Sequence, residues 1–205
     1  MFAPLPLAAA LLFAPPPDPP AEPPLGGVGT IVAGRTAEMW AADLDAHDRA
    51  LRGRAVLTLR AFGTEGAEHL AAALDSEDEA VRFWAAEGLG MVPDAGAARS
   101  AAGRLRELAA DGRPAERLAA AFALCRLGET NTGLPVLTDG LKHPARGVAV
   151  TAADLIARLG QPAAGAADVL RKTALTHADY HVRYRSAQAL AAATGEVLKP
   201  SQVMK

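Results

Sequence analysis

Two histidines come first among the residues that could do chemistry. His177 and His181 are four apart, a spacing that places two metal ligands on one helix face, and Asp179 lies between them. However, His177 and His143 each fall two residues after a leucine. This shared spacing indicates a recurring position in a turn. We therefore predict no metal site.

The single cysteine, Cys125, would need a neighbouring base to act as a nucleophile. It lies in the segment ALCRLG, where we expect it to pack as a small apolar residue. The sequence has no GxSxG, HExxH or phosphate-binding glycine loop. The acidic residues at 77–79 are typical of a solvated turn and a helix cap. The chain is predicted not to be an enzyme, with no catalytic residue and no cofactor.

The composition favours closely packed helices. Hydrophobic residues make up 50% of the 205 residues, yet aromatic residues only 4%, because alanine is by far the commonest residue. Alanine is the best helix former and allows helices to approach closely. The formal net charge of −2 gives no reason to expect nucleic-acid binding, which needs clustered Lys and Arg.

The segment VRFWAAEGLG, at 81–90, is one copy of a repeated pattern. In most copies an apolar anchor is followed by arginine, then by small residues four and five positions on, and by Leu or Ile eight positions on. The anchors are residues 51, 81, 116, 148 and 182. A period of 30 to 35 residues is the signature of a stacked array of helical units.

Each unit is predicted to be helix A, a tight turn and helix B. Asp48, Asp78 and Asp179 lie three residues before their anchors, where they would cap the start of helix B. The arginine after the anchor is interpreted as structural, although ligand binding is the alternative. Five glycines near the ends of the B helices are predicted C-terminal caps: Gly63, Gly90, Gly128, Gly160 and Gly195.

The unit D-x-x-V-R-x-x-A-A-x-x-L resembles the HEAT repeat, in its bacterial HEAT-like form, over residues 36–196. The resemblance implies an all-α fold, an α-α superhelix (solenoid) of about five two-helix HEAT-like repeats. The stretches AVRFWAAEGLG and LPVLTDGLKHP are similar to HEAT segments attached to secreted bacterial hydrolases such as sulfatases. The resemblance implies a scaffold or an accessory module.

The chain divides into three parts. Residues 1–35 contain a short apolar run and most of the 15 prolines, and we interpret them as a signal-like segment with a disordered linker. The repeat domain is expected at 36–196 and a short tail at 197–205. Export to the periplasm or the cell exterior is favoured over a cytoplasmic location. The apolar run is too short to span a bilayer, and we expect a monomer.

One row of each B helix lies opposite the predicted core stripe, on what would be the concave wall of the array. We predict that this wall binds a protein or peptide partner, so that the chain is a scaffold or adaptor. The alternative function is an accessory or regulatory module of a separately encoded enzyme, lyase-like or a secreted hydrolase. For the phenylalanines, burial between neighbouring B helices is the alternative. The predicted contact residues are Phe83, Trp84, Glu87, Phe122, Asp154, Tyr184, Arg185 and Gln188.

Overall fold

Helices follow one another along almost the whole repeat region in a computed structural model of the chain. The structure describes residues 30–92 and 96–204. The predicted signal-like run and most of the proline-rich linker lie outside the described residues. Within the described part, no helix is long and apolar enough to cross a membrane.

Over residues 30–92 and 96–204, five helical pairs form the array, as the repeat pattern predicts. The A helices are α1 (Ala37–Ala41, continued by a 3-10 turn), α3 (Thr64–Ala73), α5 with α6 (Gly96–Ser100 and Ala102–Asp111), α8 (Thr130–Gly140) and α10 (Ala167–Thr176). The B helices are α2 (Arg49–Leu59), α4 (Glu79–Met91), α7 (Pro114–Arg126), α9 (Arg146–Leu159) and α11 (Tyr180–Thr194). A last short helix, α12, spans Pro200–Val203.

The predicted helix starts are confirmed. The side chains of Asp48, Asp78 and Asp179 each accept a hydrogen bond from a backbone N–H in the first turn of their B helix. These bonds satisfy amide groups that have no partner inside the helix. In the third repeat Glu116 has this role, since its Oε2 accepts from the backbone N–H of Arg113 at 3.1 Å.

Four of the five predicted glycine caps lie where the B helices end, and each has a positive φ: Gly63, Gly128, Gly160 and Gly195. The prediction for Gly90 is wrong, because α4 continues through it to Met91. Gly90 is instead a contact point between helices. A Cβ there would lie 2.7 Å from ring atoms of Phe122 on α7, so only glycine permits this close packing.

The core lies between the two layers of helices, and α7 stands at its centre. Two clusters of buried apolar side chains fill the array, the first running from α1 to α7 and the second from α7 to α11. Helix α7 contributes to both, because α4 and α9 pack on either side of it. A repeat cannot bury the apolar face of its helix B by itself, so it is stabilised by packing against the neighbouring repeats.

The arginine after the anchor is structural, as predicted. The guanidinium of Arg52 donates to the carbonyls of Ala46 and His47 in its own turn, and also to Asp78 Oδ2 of the next repeat at 2.6 Å and 2.9 Å. Arg82 repeats this arrangement with Glu116 Oε1 at 2.6 Å. Each arginine therefore links the turn of its own repeat to the start of helix B in the next repeat.

Both ends of the described chain pack onto the terminal repeats. Two residues that precede α1 contact Trp40 inside it. The Val32 carbonyl accepts a hydrogen bond from the Trp40 indole N–H, and the Arg35 guanidinium lies 4.3 Å from the centre of the Trp40 ring. At the other end, Val203 of α12 is buried and its carbonyl accepts from Arg183 Nε at 2.8 Å. Helix α12 is therefore packed against the last repeat.

Candidate functional site

The predicted partner-binding residues lie on one wall formed by the B helices, but they differ in exposure. Tyr184, Arg185 and Gln188 are exposed on α11. Phe83 and Trp84 on α4, and Asp154 on α9, are partly exposed. Phe122 and Glu87 are buried. We call the exposed surface of the B helices around these residues, together with the turn that follows α2, the B-helix wall.

Phe122 does not belong to the exposed part of the wall, which corrects the prediction. Its side chain is 0% exposed. The ring packs under Gly90, and the guanidinium of Arg158 lies 5.1 Å from its centre. Because α4 and α9 approach α7 closely from both sides, this residue is core, the alternative left open for it.

Glu87 is also withdrawn from solvent, so it offers no carboxylate to a partner. Its side chain is 3% exposed and each oxygen holds one arginine. Arg60 Nη1, in the 3-10 turn that follows α2, is 2.5 Å from Oε2, and Arg158 Nη1 of α9 is 2.5 Å from Oε1. A buried charge needs such pairing to offset the loss of hydration. The prediction that Glu87 contacts a partner is therefore corrected.

An exposed apolar groove of the wall runs across the starts of three B helices. Phe83 and Trp84 meet edge to face, with ring centroids 4.8 Å apart and planes at 80°. Together with Pro114 and Val148 they line a groove of about 550 Å³. An ion pair between Arg113 and Glu79 also borders it. Its shape and apolar lining suit a side chain from another molecule. We call it the aromatic groove.

At the C-terminal end of the wall, polar groups form a chain across α11. The Gln188 amide donates to the Tyr184 hydroxyl at 3.2 Å, and Arg185 Nη1 donates to Gln188 Oε1 at 3.2 Å. The same Arg185 nitrogen is 3.5 Å from Asp154 Oδ1 on α9. Tyr180 lies beside Tyr184, with ring centroids 6.1 Å apart. These groups are oriented by one another and remain open to solvent.

The histidines and the cysteine have structural surroundings. His177 Nδ1 accepts from the Asp179 backbone N–H at 3.0 Å, and His143 Nδ1 accepts from Ala145 N–H at 3.1 Å. The shared turn position is thus confirmed by a shared hydrogen bond. Across 30–92 and 96–204, no group of three or more His, Cys, Asp or Glu residues could hold a metal ion.

Cys125 is buried, as predicted, and burial raises the pKa of its thiol to about 11. The neutral thiol therefore dominates at neutral pH, whereas a nucleophile or metal ligand needs the thiolate. Its sulfur packs against α8, since a Cβ on Gly133 would lie 2.6 Å from it. The side chain fills space between helices.

Sequence reasoning missed two residues that shape the wall. Arg158 covers Phe122 and neutralises Glu87, although nothing in the repeat pattern marks it. Glu116 caps α7 and receives Arg82. Glu116 did carry a signal, because it places an acid at the anchor position where the other repeats have Leu or Val.

Comparison with known families agrees with this architecture. Residues 38–125 and 101–191 each match the family of HEAT repeats. Because these matches together span more than half of the chain, the chain belongs to the HEAT-repeat family. Among curated proteins no sequence match is found.

Solved structures show the same fold. An engineered protein is 24% identical, with a TM-score of 0.53 over 76% of this chain and 78% of that chain. The complex of CpcE and CpcF of phycocyanin lyase from Nostoc sp. is 23% identical, with a TM-score of 0.55 over 88% of this chain and 71% of that chain. Human deoxyhypusine hydroxylase has a TM-score of 0.46 at 26% identity, over 78% and 63%. The first two likenesses indicate a helical solenoid.

Proposed function

We propose that the chain is a non-catalytic scaffold that binds a protein or peptide partner along the B-helix wall. The observation that supports this function best is the aromatic groove. Phe83 and Trp84 stand half-exposed and edge to face beside an apolar depression, although the chain has few aromatic residues to place. Tryptophan, tyrosine and arginine are the residues that most often dominate the binding energy at protein interfaces.

The wall suits a partner for a second reason, which is that its polar groups are already positioned. Tyr184, Gln188 and Arg185 hold one another in a hydrogen-bonded chain. Side chains that are ordered before binding lose less conformational entropy when the partner arrives. Accordingly, an elongated partner would contact the aromatic groove with one part and the α11 end with another.

Photo-crosslinking tests the proposal. We expect a photoreactive phenylalanine analogue at Arg185, on the wall, to capture a protein from native extract. The same analogue at Leu175, exposed on helix A α10, is the matched control and should capture nothing. Capture should fall at least about tenfold when Trp84→Ala and Tyr184→Ala are combined, because two hot-spot aromatics are removed.

Circular dichroism must show unchanged helix content in the double variant, since both side chains are at least partly exposed. Equal capture from Arg185 and Leu175 would contradict binding along the wall. If the captured protein is an enzyme whose activity changes in the complex, the chain acts as an accessory module of that enzyme. A captured protein without enzymatic activity would favour the general scaffold.

A further inference from the structure

We propose that the paired guanidiniums of Arg60 and Arg158 bind a carboxylate, so that the partner segment carries Asp or Glu close to the apolar residue that enters the aromatic groove. This inference rests on the proposed function of the wall and names the chemistry of its partner. It follows from one buried carboxylate that orients two partly exposed arginines.

Glu87 fixes the two guanidiniums in place without being accessible itself. Its side chain is 3% exposed, whereas those of Arg60 and Arg158 are 31% and 37% exposed. Each oxygen of the carboxylate is 2.5 Å from one arginine nitrogen. Solvent, and any partner, therefore meets positive charge at this point of the wall and does not meet the acid.

The charges do not cancel within the cluster. Two guanidiniums share one carboxylate, which leaves one positive charge in excess. A guanidinium has five N–H donors. Arg60 uses Nη1 for Glu87 and directs Nε to the Leu57 carbonyl at 3.4 Å. Within the described residues, Arg158 contacts no acid other than Glu87. Donors on both side chains thus remain free for a planar, bidentate acceptor such as a carboxylate.

The cationic cluster and the aromatic groove are neighbours. The Arg60 guanidinium lies 5.7 Å from the centre of the Trp84 ring, and Trp84 lines the groove. A short segment could therefore place an apolar side chain in the groove and an adjacent acidic side chain on the arginines. Contact between a cation and an aromatic face strengthens when a ligand excludes water from both.

Charge complementarity selects an acidic partner. Along this wall, solvent reaches three of the described arginines, Arg60, Arg158 and Arg185, and the partly exposed Asp154. The positive character is local, because the chain as a whole has a formal net charge of −2. The pair of Arg113 and Glu79 at the groove neutralises itself and adds no net charge. An acidic segment would be attracted to the wall and a basic one repelled.

The test uses a library of random 12-residue peptides displayed on phage and selected on the full chain. Peptides that bind the parent but not Trp84→Ala are synthesised, each with a second version in which Asp and Glu become Asn and Gln. Fluorescence anisotropy then compares both versions on the parent and on Arg158→Gln. We expect selected peptides with an acid near an apolar residue, and Arg158→Gln to weaken them about tenfold, the effect of one charge-assisted pair.

The decisive result is the coupling between the two changes. The amide version should bind the parent about tenfold more weakly and lose little more in Arg158→Gln, because both changes remove the same contact. The variant Glu87→Gln is the matched control. It removes the acid that orients the arginines but keeps both cations, so it should weaken the acidic peptides less than Arg158→Gln does. A merely structural role of the cluster would weaken both variants alike.

Other outcomes would overturn the inference and separate it from the proposed function. Selection of Trp84-dependent peptides that lack an acid would refute carboxylate binding. Additive losses of affinity from the amide version and from Arg158→Gln would refute it as well. Either result would leave the scaffold function standing. Failure to select any Trp84-dependent peptide would count against both. Binding of phosphatidylserine vesicles instead of peptides, lost in Arg158→Gln, would make the occupant a membrane. If Arg158→Gln fails to fold, Arg158→Lys keeps the charge without the planar fork and should show intermediate weakening.

Discussion

Helices α7 and α11 are the B helices of the third and fifth repeats, but of the two only α7 is surrounded by protein. Every residue from Leu118 to Cys125 of α7 is buried. Helix α11 leaves Tyr180 and Tyr184 40% and 45% exposed. The difference arises because, in the described part of the chain, two B helices, α4 and α9, pack against α7, whereas α11 packs against one B helix, α9, and against the four-residue α12.

Other repeat positions show the same contrast between centre and end. Leu74 and Leu141 lie seven residues before their anchors and are fully buried, while Leu175 at the same position of the last repeat is 38% exposed. A shared pattern therefore gives a shared helix, but the neighbours decide how much of that helix is covered. In a nearest-neighbour array, central units are stabilised from two sides and terminal units from one.

The largest expected effect comes from one substitution made at the same repeat position in both helices. Ala121 of α7 is 0% exposed and Ala187 of α11 is partly exposed. We expect Ala121→Asp to cost about 4 kcal/mol or more, because it buries an unpaired charge. Ala187→Asp should cost less than about 1 kcal/mol, mainly through helix propensity. Urea unfolding followed by circular dichroism measures both, and equal losses would mean that α7 is not central.

A second, smaller change in stability, caused by replacing glycine with alanine, should differ in sign between α2 and α4. In α2, Gly53 has nothing within 4 Å of an added Cβ, so Gly53→Ala should stabilise by roughly 1 kcal/mol through helix propensity. In α4, Gly90→Ala would push a Cβ against the Phe122 ring, which cannot move because it is buried. Overpacking should outweigh propensity there, for a net loss of about 1 kcal/mol. Thermal melts that shift the same way for both variants would contradict this packing.

The smallest change in the free energy of unfolding should distinguish the cap of α4, inside the array, from the cap of α11, in the last repeat. Asp78 caps α4 and also accepts Arg52 of the preceding repeat, whereas Asp179 accepts backbone N–H groups. Asparagine is an equally good cap, so Asp179→Asn should cost less than about 0.5 kcal/mol. Asp78→Asn loses the ion pair as well and should cost about 1 kcal/mol. Matching losses in urea unfolding at neutral pH would show that the Arg52 contact adds nothing.

The difference in stability between the parent chain and Asp78→Asn should depend on pH. The hydrogen bond from the Arg52 guanidinium holds the pKa of the Asp78 carboxyl below its usual value. The stability that this carboxylate contributes is therefore complete above the unfolded pKa of about 4 and is lost as the pH falls through the lower folded value. Parent and Asp78→Asn should accordingly converge in stability toward strongly acidic pH. A constant gap down to that range would remove Arg52 as the cause.

The repeat frame was available from the sequence because its causes are local. Asp48, Asp78 and Asp179 cap their helices where the pattern predicts, since an N-cap needs only its own first turn. Gly90 shows the limit of such reasoning. It resembles a helix-ending glycine in the sequence, yet it exists for a contact with Phe122, more than thirty residues away.

The wall was predictable in position but not in accessibility. Gln188 and Asp154 are at least partly exposed, while Phe122 and Glu87 occupy the same repeat position and are buried. A binding role for the exposed residues remains a proposal. No property of a single B helix distinguishes these cases, because the covering groups come from neighbouring elements, as Arg60 and Arg158 do at Glu87.

The sequence alone thus determined the five helical pairs, the aspartate caps of three B helices and the family to which the chain belongs, because periodicity and capping depend on residues within one turn or one unit. Only the tertiary structure decided which B-helix residues are core, which reach solvent, and that Arg60 and Arg158 meet on one buried carboxylate. That meeting depends on how closely α2, α4, α7 and α9 pack, and close packing is a property of the assembled array.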